Sequence, residues 1–290
     1  MRHDGFEGLL AALLLLDSVA HAGGSPQPPQ VGDVYEITLI KDSVQQGGDG
    51  SSSSSHDKDT IIEQVIGVRA DGLELLYDLP NSTTPDERAR IWQYPARVFM
   101  PFDGRTRLLN GPELEVRLEG WLKAANLSRT ACGHWIFTWN AFRIECDPQS
   151  VLGTVQSYDL RSTDLREGEL YRDSEAGGFG KLTRKVGGSD GETFAVQMPV
   201  DAGAVRRARA ESDVVVGEFM KKPTSLEAAL SRRADEVVSG TISITFETDR
   251  AGNVRQRIKV TNLNIKLPDG RLETQTVTER LERRVVSRRD

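Results

Sequence analysis

The densest run of chemistry-bearing side chains is Cys132-Gly133-His134-Trp135-Ile136-Phe137-Thr138-Trp139-Asn140-Ala141-Phe142-Arg143-Ile144-Glu145-Cys146. It holds both cysteines of the chain, one of its four histidines and two of its four tryptophans. A fold-back near Trp139 leaves the cysteines equidistant from the turn, so a Cys132–Cys146 disulfide is expected. Thirteen intervening residues are far from the C-x-x-C spacing that activates a thiol, which argues against thiol-disulfide catalysis. The aromatics have two readings. They fill core as a stapled hydrophobic cluster, or they form a surface on which a sugar ring or apolar ligand stacks. Under the second reading Trp121, Trp135, Phe137, Trp139 and Phe142 are the ligand-binding residues.

Other chemistry is sparse. His3 and His21 lie in an N-terminal leader, leaving His56 and His134, too few for a multi-histidine metal centre; no metal or cofactor is expected. His134, beside Trp135 and Cys132, reads as a partly buried structural histidine. No G-x-S-x-G elbow accompanies either histidine, so a Ser-His-Asp hydrolase has little support. Gly177-Gly178-Phe179-Gly180-Lys181 fails as a phosphate loop: Glu175 stands where the first glycine belongs, and Leu182 replaces the hydroxyl residue. Carboxylates are plentiful, and a paired Asp/Glu hydrolase is defined by separation in space, so no catalytic residue can be nominated from sequence.

The address is written at the front. Leu9 to Leu16 is an apolar run, and Val19-Ala20-His21-Ala22-Gly23 offers an A-x-A cleavage site. Residues 1–22 are read as a cleaved signal peptide, 23–32 as a flexible linker, and 33–290 as a single α+β domain, periplasmic or secreted. The leader is shorter than the roughly 20 apolar residues of a bilayer span, and no later segment reaches that length, so a soluble, not membrane-spanning, mature chain is expected. Without the leader, 36 basic residues face 40 acidic ones. That balance gives no field for nucleic acid. Oligomeric state is not readable.

The elements that position these residues are mostly strands. Asp71-Gly72, Asp103-Gly104, Asp190-Gly191 and Asp269-Gly270 lie between apolar runs and predict hairpins. Folding at the first sets Arg69 against Glu74 and Val68 against Leu75; at the last it sets Lys266 against Glu273. A fifth hairpin sets Ile244 opposite Ile258 and Ile242 opposite Val260. The later phase change to Leu263, Ile265 and Leu267 predicts a bulge near Thr261-Asn262 and a bent sheet. The first strand runs from Val34 to Lys41, and three long strands occupy 240–248, 254–267 and 271–286. Residues 45–59, centred on Ser51 to Ser55, read as a mobile loop.

Four helices are expected: from Asp147-Pro148, over Pro112 to Leu127, over Asp201 to Met220, and over Thr224 to Val238. The fold class is α+β, a curved antiparallel β-sheet built from hairpins with about four helices packed on it. In pattern, without a shared motif, it resembles periplasmic lipoprotein carriers. The leading functional expectation is a non-enzymatic scaffold or binder of a small apolar ligand. The alternatives are a carboxylate-dependent hydrolase of an envelope polysaccharide, or an interaction module that offers an exposed edge strand or its Arg-rich C-terminal strand to an envelope protein.

Overall fold

The computed structural model describes residues 28–137, 141–161, 165–185 and 191–287. Ten strands form one open antiparallel sheet. Five of them, β1 (Val34–Gln46), β2 (Ser52–Arg69), β3 (Gly72–Asp78), β4 (Ala96–Pro101) and β5 (Arg107–Leu108), run outward from the middle in chain order. The segment after β5 carries the short pairs β6 (Trp135–Phe137) with β7 (Ala141–Arg143) and β8 (Leu170–Tyr171) with β9 (Gly180–Lys181). The sheet resumes at its other edge with β10 (Thr183–Lys185), then β11 (Thr193–Pro199), β12 (Val237–Thr248), β13 (Val254–Lys266) and β14 (Leu272–Ser287). β14 pairs with β1, so the first and last strands meet at the centre and the short strands β5 and β10 are the edges. Short edges offer little unpaired backbone to other chains.

Period-two alternation gives the sheet one buried face. Tyr35, Ile37, Ile61, Val65, Leu73, Leu75, Tyr77, Ile242, Ile244 and Phe246 belong to one buried cluster. The cover comes from α2 (Gly111–Ala124) through Leu114, Leu118 and Leu122, and from α3 (Ser150–Ser157) through Val151 and Val155, residues spaced to share a helical face. The segment around β8 and β9 covers the rest, with the Tyr171 and Phe246 rings edge-on at 5.4 Å. Two further helices, α4 (Ala202–Phe219) and α5 (Leu226–Arg232), are tied together and to β14 by ion pairs of Arg209 with Glu236 and Glu273, and of Arg233 with Asp213 and Glu236.

The helix expectations hold with shifts at the ends. Asp201 caps α4 by accepting from the Gly203 and Ala204 amides. α3 starts at Ser150 because Asp147 first closes a turn, its side chain accepting from the Gln149 amide. α5 ends at Arg232, since Val237 already belongs to β12. A short helix the sequence reading did not include, α1 (Pro85–Ala89), is fixed by a capping box between Thr84 and Glu87.

Residues 45–59, expected as a loop, are instead hairpin: Gln45 pairs with Ser53 and Asp42 with His56, leaving a turn at 47–51. The serines bury nothing, but β1 is held on its other side by β14 as far as Gln46, so β2 extends along a strand already in place. The hairpin registers also differ from expectation. The first turn falls on Ala70 and Asp71, with Val68 opposite Leu73 and a shift between Val65 and Gly67. Gly72 is in the strand because a Cβ there would lie 2.4 Å from the Met100 carbonyl oxygen. At Asp269-Gly270 the loop is one residue longer than assumed, with Gly270 at φ 87°, so Lys266 faces Leu272.

The bulge expected near Thr261-Asn262 is absent. The shift sits at Glu247/Thr248, and Ile244 pairs with Lys259 and Ile242 with Thr261. Lys259 therefore occupies the buried face, where its ammonium meets Asp173 at 2.9 Å and Glu175 at 2.8 Å. The apparent phase change in the sequence is an inward charge neutralised by a distant segment.

Candidate functional site

The hairpin β6–β7 carries the sequence-predicted cluster. Trp135 pairs with Arg143 and Phe137 with Ala141, so the chain reverses between them. The Cys132 and Cys146 sulfurs lie 2.03 Å apart, at disulfide distance. Beyond the strands, Gly133 donates to the Ile144 carbonyl and Ile144 to that of His134. This stapled ladder fixes Arg143, Ile144 and Glu145 against the body of the protein, with Ile144 buried.

Those three residues form one wall of a cleft of about 380 Å³. The sheet contributes Asp59 and Ile61, which share a face of β2. The link between α1 and β4 contributes Trp92 and Tyr94, α2 contributes Trp121, and the end of α3 contributes Thr154 and Tyr158. Burying Leu118 and Leu122 turns the neighbouring Trp121 to the flank of α2, half-buried, where it reaches the cleft.

Two tyrosines set the polar character. Burial raises both phenols: Tyr158 is pushed up to about 12, with the Asp59 carboxylate adding to the effect, and Tyr94 goes higher, helped by Tyr158 and Asp59. Both are neutral hydrogen-bonding groups at any physiological pH. Among the described residues neither hydroxyl makes a hydrogen bond, although Tyr158 is only 6% exposed. The acidic pair Asp59 and Glu145 is balanced by Arg90 and Arg143. Glu145 also accepts from the Cys146 and Asp147 amides at 2.8 and 2.9 Å.

A second cleft of about 490 Å³ lies where the β12–β13 turn approaches Tyr35, Phe102 and Leu160, with Arg161 and Arg283 among its lining residues. Both of these arginines are committed to Glu63, which is not among the cleft's lining residues. Glu63 accepts from Arg161 Nη1 at 2.6 Å, from Arg161 Nη2, from Arg283 Nη2 at 2.9 Å and from the Tyr77 hydroxyl at 2.8 Å. Arg283 Cζ sits 3.4 Å from the Tyr35 ring centroid, and its buried Nε lacks a hydrogen-bond partner. Burial pushes the Glu63 carboxyl up, but the two guanidiniums outweigh it and hold it below the usual carboxylate range. This is a structural ion cluster; in the first cleft Glu145 and Arg143 are tied to backbone groups, and the Tyr94 and Tyr158 hydroxyls make no hydrogen bond among the described residues.

Of the sequence-predicted ligand residues, Trp121 lines the first cleft. Trp135 is half-buried in β6 and lines neither cleft. Phe137 and Phe142 have described backbone in β6 and β7, while their side chains and Trp139 lie outside the described residues. His134 is exposed, not partly buried, and His56 is held at 2.7 Å by Asp42 on the exposed hairpin. Trp92, Tyr94, Asp59 and Tyr158, which also line the cleft, were not nominated from the sequence. The Trp92-Gln93-Tyr94-Pro95 run, aromatic residues in a link rather than an apolar strand, was the available signal.

No family model and no curated protein matches the chain. Among solved structures, one on lipid–protein interactions in lipovitellin is similar at 9% identity and TM-score 0.37, over 90% of this chain and 26% of that one. An outer membrane channel from Pseudomonas putida F1 is similar at 8% identity and TM-score 0.20, over 90% and 98%. Scores this low fix neither fold nor function.

Proposed function

We propose that this is an exported, non-catalytic binding protein whose sheet is the scaffold and whose aromatic cleft holds a small ligand with an apolar face. The observation that carries the reading is Trp92, Tyr94, Trp121 and Tyr158 gathered around one cleft of about 380 Å³. Concave sites with mostly apolar and aromatic walls and a few convergent polar groups are the usual form of small-molecule sites. Export is supported by the apolar leader and by a cysteine pair at disulfide distance, which suits an oxidising compartment. No helix among the described residues is long and apolar enough to cross a membrane. The test is native mass spectrometry of protein purified from its own host, followed by solvent extraction. A bound small molecule lost from Trp121→Ala supports the reading; one retained by that variant contradicts it.

One observation favours a hydrolase as the second reading: Asp59 and Glu145 line the same cleft. It predicts glycan cleavage by the unaltered protein that Asp59→Asn abolishes. For the interaction-module alternative, β14 is paired on both sides, to β13 and to β1, which leaves the edge strands β5 and β10 as the ones a partner would extend.

A further inference from the structure

Resting on the cleft being the ligand site, we propose that its ligand is a neutral saccharide unit rather than an aliphatic chain. Trp121 and Tyr94, both half-buried, supply apolar surface of the kind on which the C–H face of a pyranose ring stacks, and the buried Trp92 and Tyr158, 4% and 6% exposed, back them. Around them stand hydrogen-bonding groups without protein partners among the described residues: the hydroxyls of Tyr94 and Tyr158, the Asp59 carboxylate and the Arg90 guanidinium.

An acyl chain would remove these groups from water and return no hydrogen bond, which binding sites avoid. A sugar returns one at each hydroxyl, since a hydroxyl both donates and accepts. Donors and acceptors are both present: carboxylate accepts, guanidinium donates, and the neutral phenols do either. Charge balance between Asp59 and Glu145 on one side and Arg90 and Arg143 on the other gives no net attraction for an anion, which disfavours phosphorylated or fatty-acid ligands. The volume, about 380 Å³, is at the small end of ligand sites and suits a mono- or disaccharide unit.

The experiment uses full-length protein labelled with 5-fluorotryptophan and observed by fluorine NMR. It is titrated with maltose, cellobiose, mannobiose and diacetylchitobiose, and separately with decanoate. The expected result is that at least one disaccharide shifts the Trp92 and Trp121 resonances and not that of Trp135. Tyr158→Phe, which keeps the ring and removes only the hydroxyl, weakens binding about tenfold. Trp121→Ala eliminates it. Melting curves of both variants confirm that they are folded. If decanoate shifts Trp92 and Trp121, no disaccharide does, and Tyr158→Phe leaves decanoate binding unchanged, the saccharide assignment falls while the cleft stands as a ligand site. If no probe shifts either resonance, both fall.

Discussion

Glu63 stands where the alternation of β2 calls for an apolar residue, between Ile61 and Val65 on the buried face. Its surroundings make that tolerable: two guanidiniums and a phenol reach it from positions 98, 220 and 14 residues away in the chain. Removing the charge strands two partly buried arginines, so Glu63→Gln should destabilise by about 2–4 kcal/mol in denaturant unfolding. The pH dependence has a definite sign. The folded carboxyl titrates below its ordinary value of 4.5, so its stabilisation is complete above that value and lost as pH falls through the lowered one. Lys259 is opposite: burial lowers its ammonium, Glu175 and Asp173 outweigh that, and its stabilisation is present below 10.5 and lost as pH rises through the raised value. A melting-temperature profile should be flat near neutrality and fall on both sides, and Glu63→Gln should flatten the acid limb. Gly180 is another single-residue constraint. A Cβ there would sit 2.4 Å from Val196 Cγ2 and 2.6 Å from the Gln197 carbonyl oxygen, so Gly180→Ala should destabilise by about 1–3 kcal/mol. Composition marks this glycine-rich run only as a connection; the close approach to β11 is what requires glycine.

At the scale of elements, what was legible depended on how local its cause is. The caps of α4, the face of α2 and the three long C-terminal strands follow from neighbouring residues, and they lie close to where periodicity puts them. Hairpin registers were off by one or more because Asp-Gly marks a turn without saying which turn: at Asp269-Gly270 the glycine takes positive φ in a longer loop, while Gly72 serves packing against β4. The inward Lys259 was misread as a phase change because its partners, Asp173 and Glu175, lie more than eighty residues away. The stapled hairpin yields its own prediction. Opening the Cys132–Cys146 loop should remove about 3 kcal/mol, a fall in melting temperature of about 5–10 °C for Cys132→Ser. The intact protein should weigh two hydrogens less than the reduced form. An unchanged melting temperature would mean the pair contributes nothing to the fold.

At the scale of the molecule, the pairing of β1 with β14 joins the two meanders into one sheet. Deleting residues 280–290 would take Leu281 and Arg283 from its centre, and circular dichroism should show loss of the cooperative transition; a cooperatively folded truncation would contradict this account of the sheet. Interleaved Arg and Glu in this strand read as a solvated surface until their partners on β1 and β2 are known. The candidate cleft was legible only in part for the same reason. Trp121 and the disulfide hairpin could be nominated from one stretch of chain, whereas Asp59, Trp92, Tyr94 and Tyr158 arrive from separate elements. The most direct test of the cleft as the ligand site is oxidative footprinting of the tryptophans, with and without a small-molecule extract of the host. The account predicts protection of Trp121 on adding extract, with Trp135, half-buried like it, unchanged and the buried Trp92 little oxidised in either case. Unaltered oxidation of Trp121, or protection confined to Trp135, would contradict it.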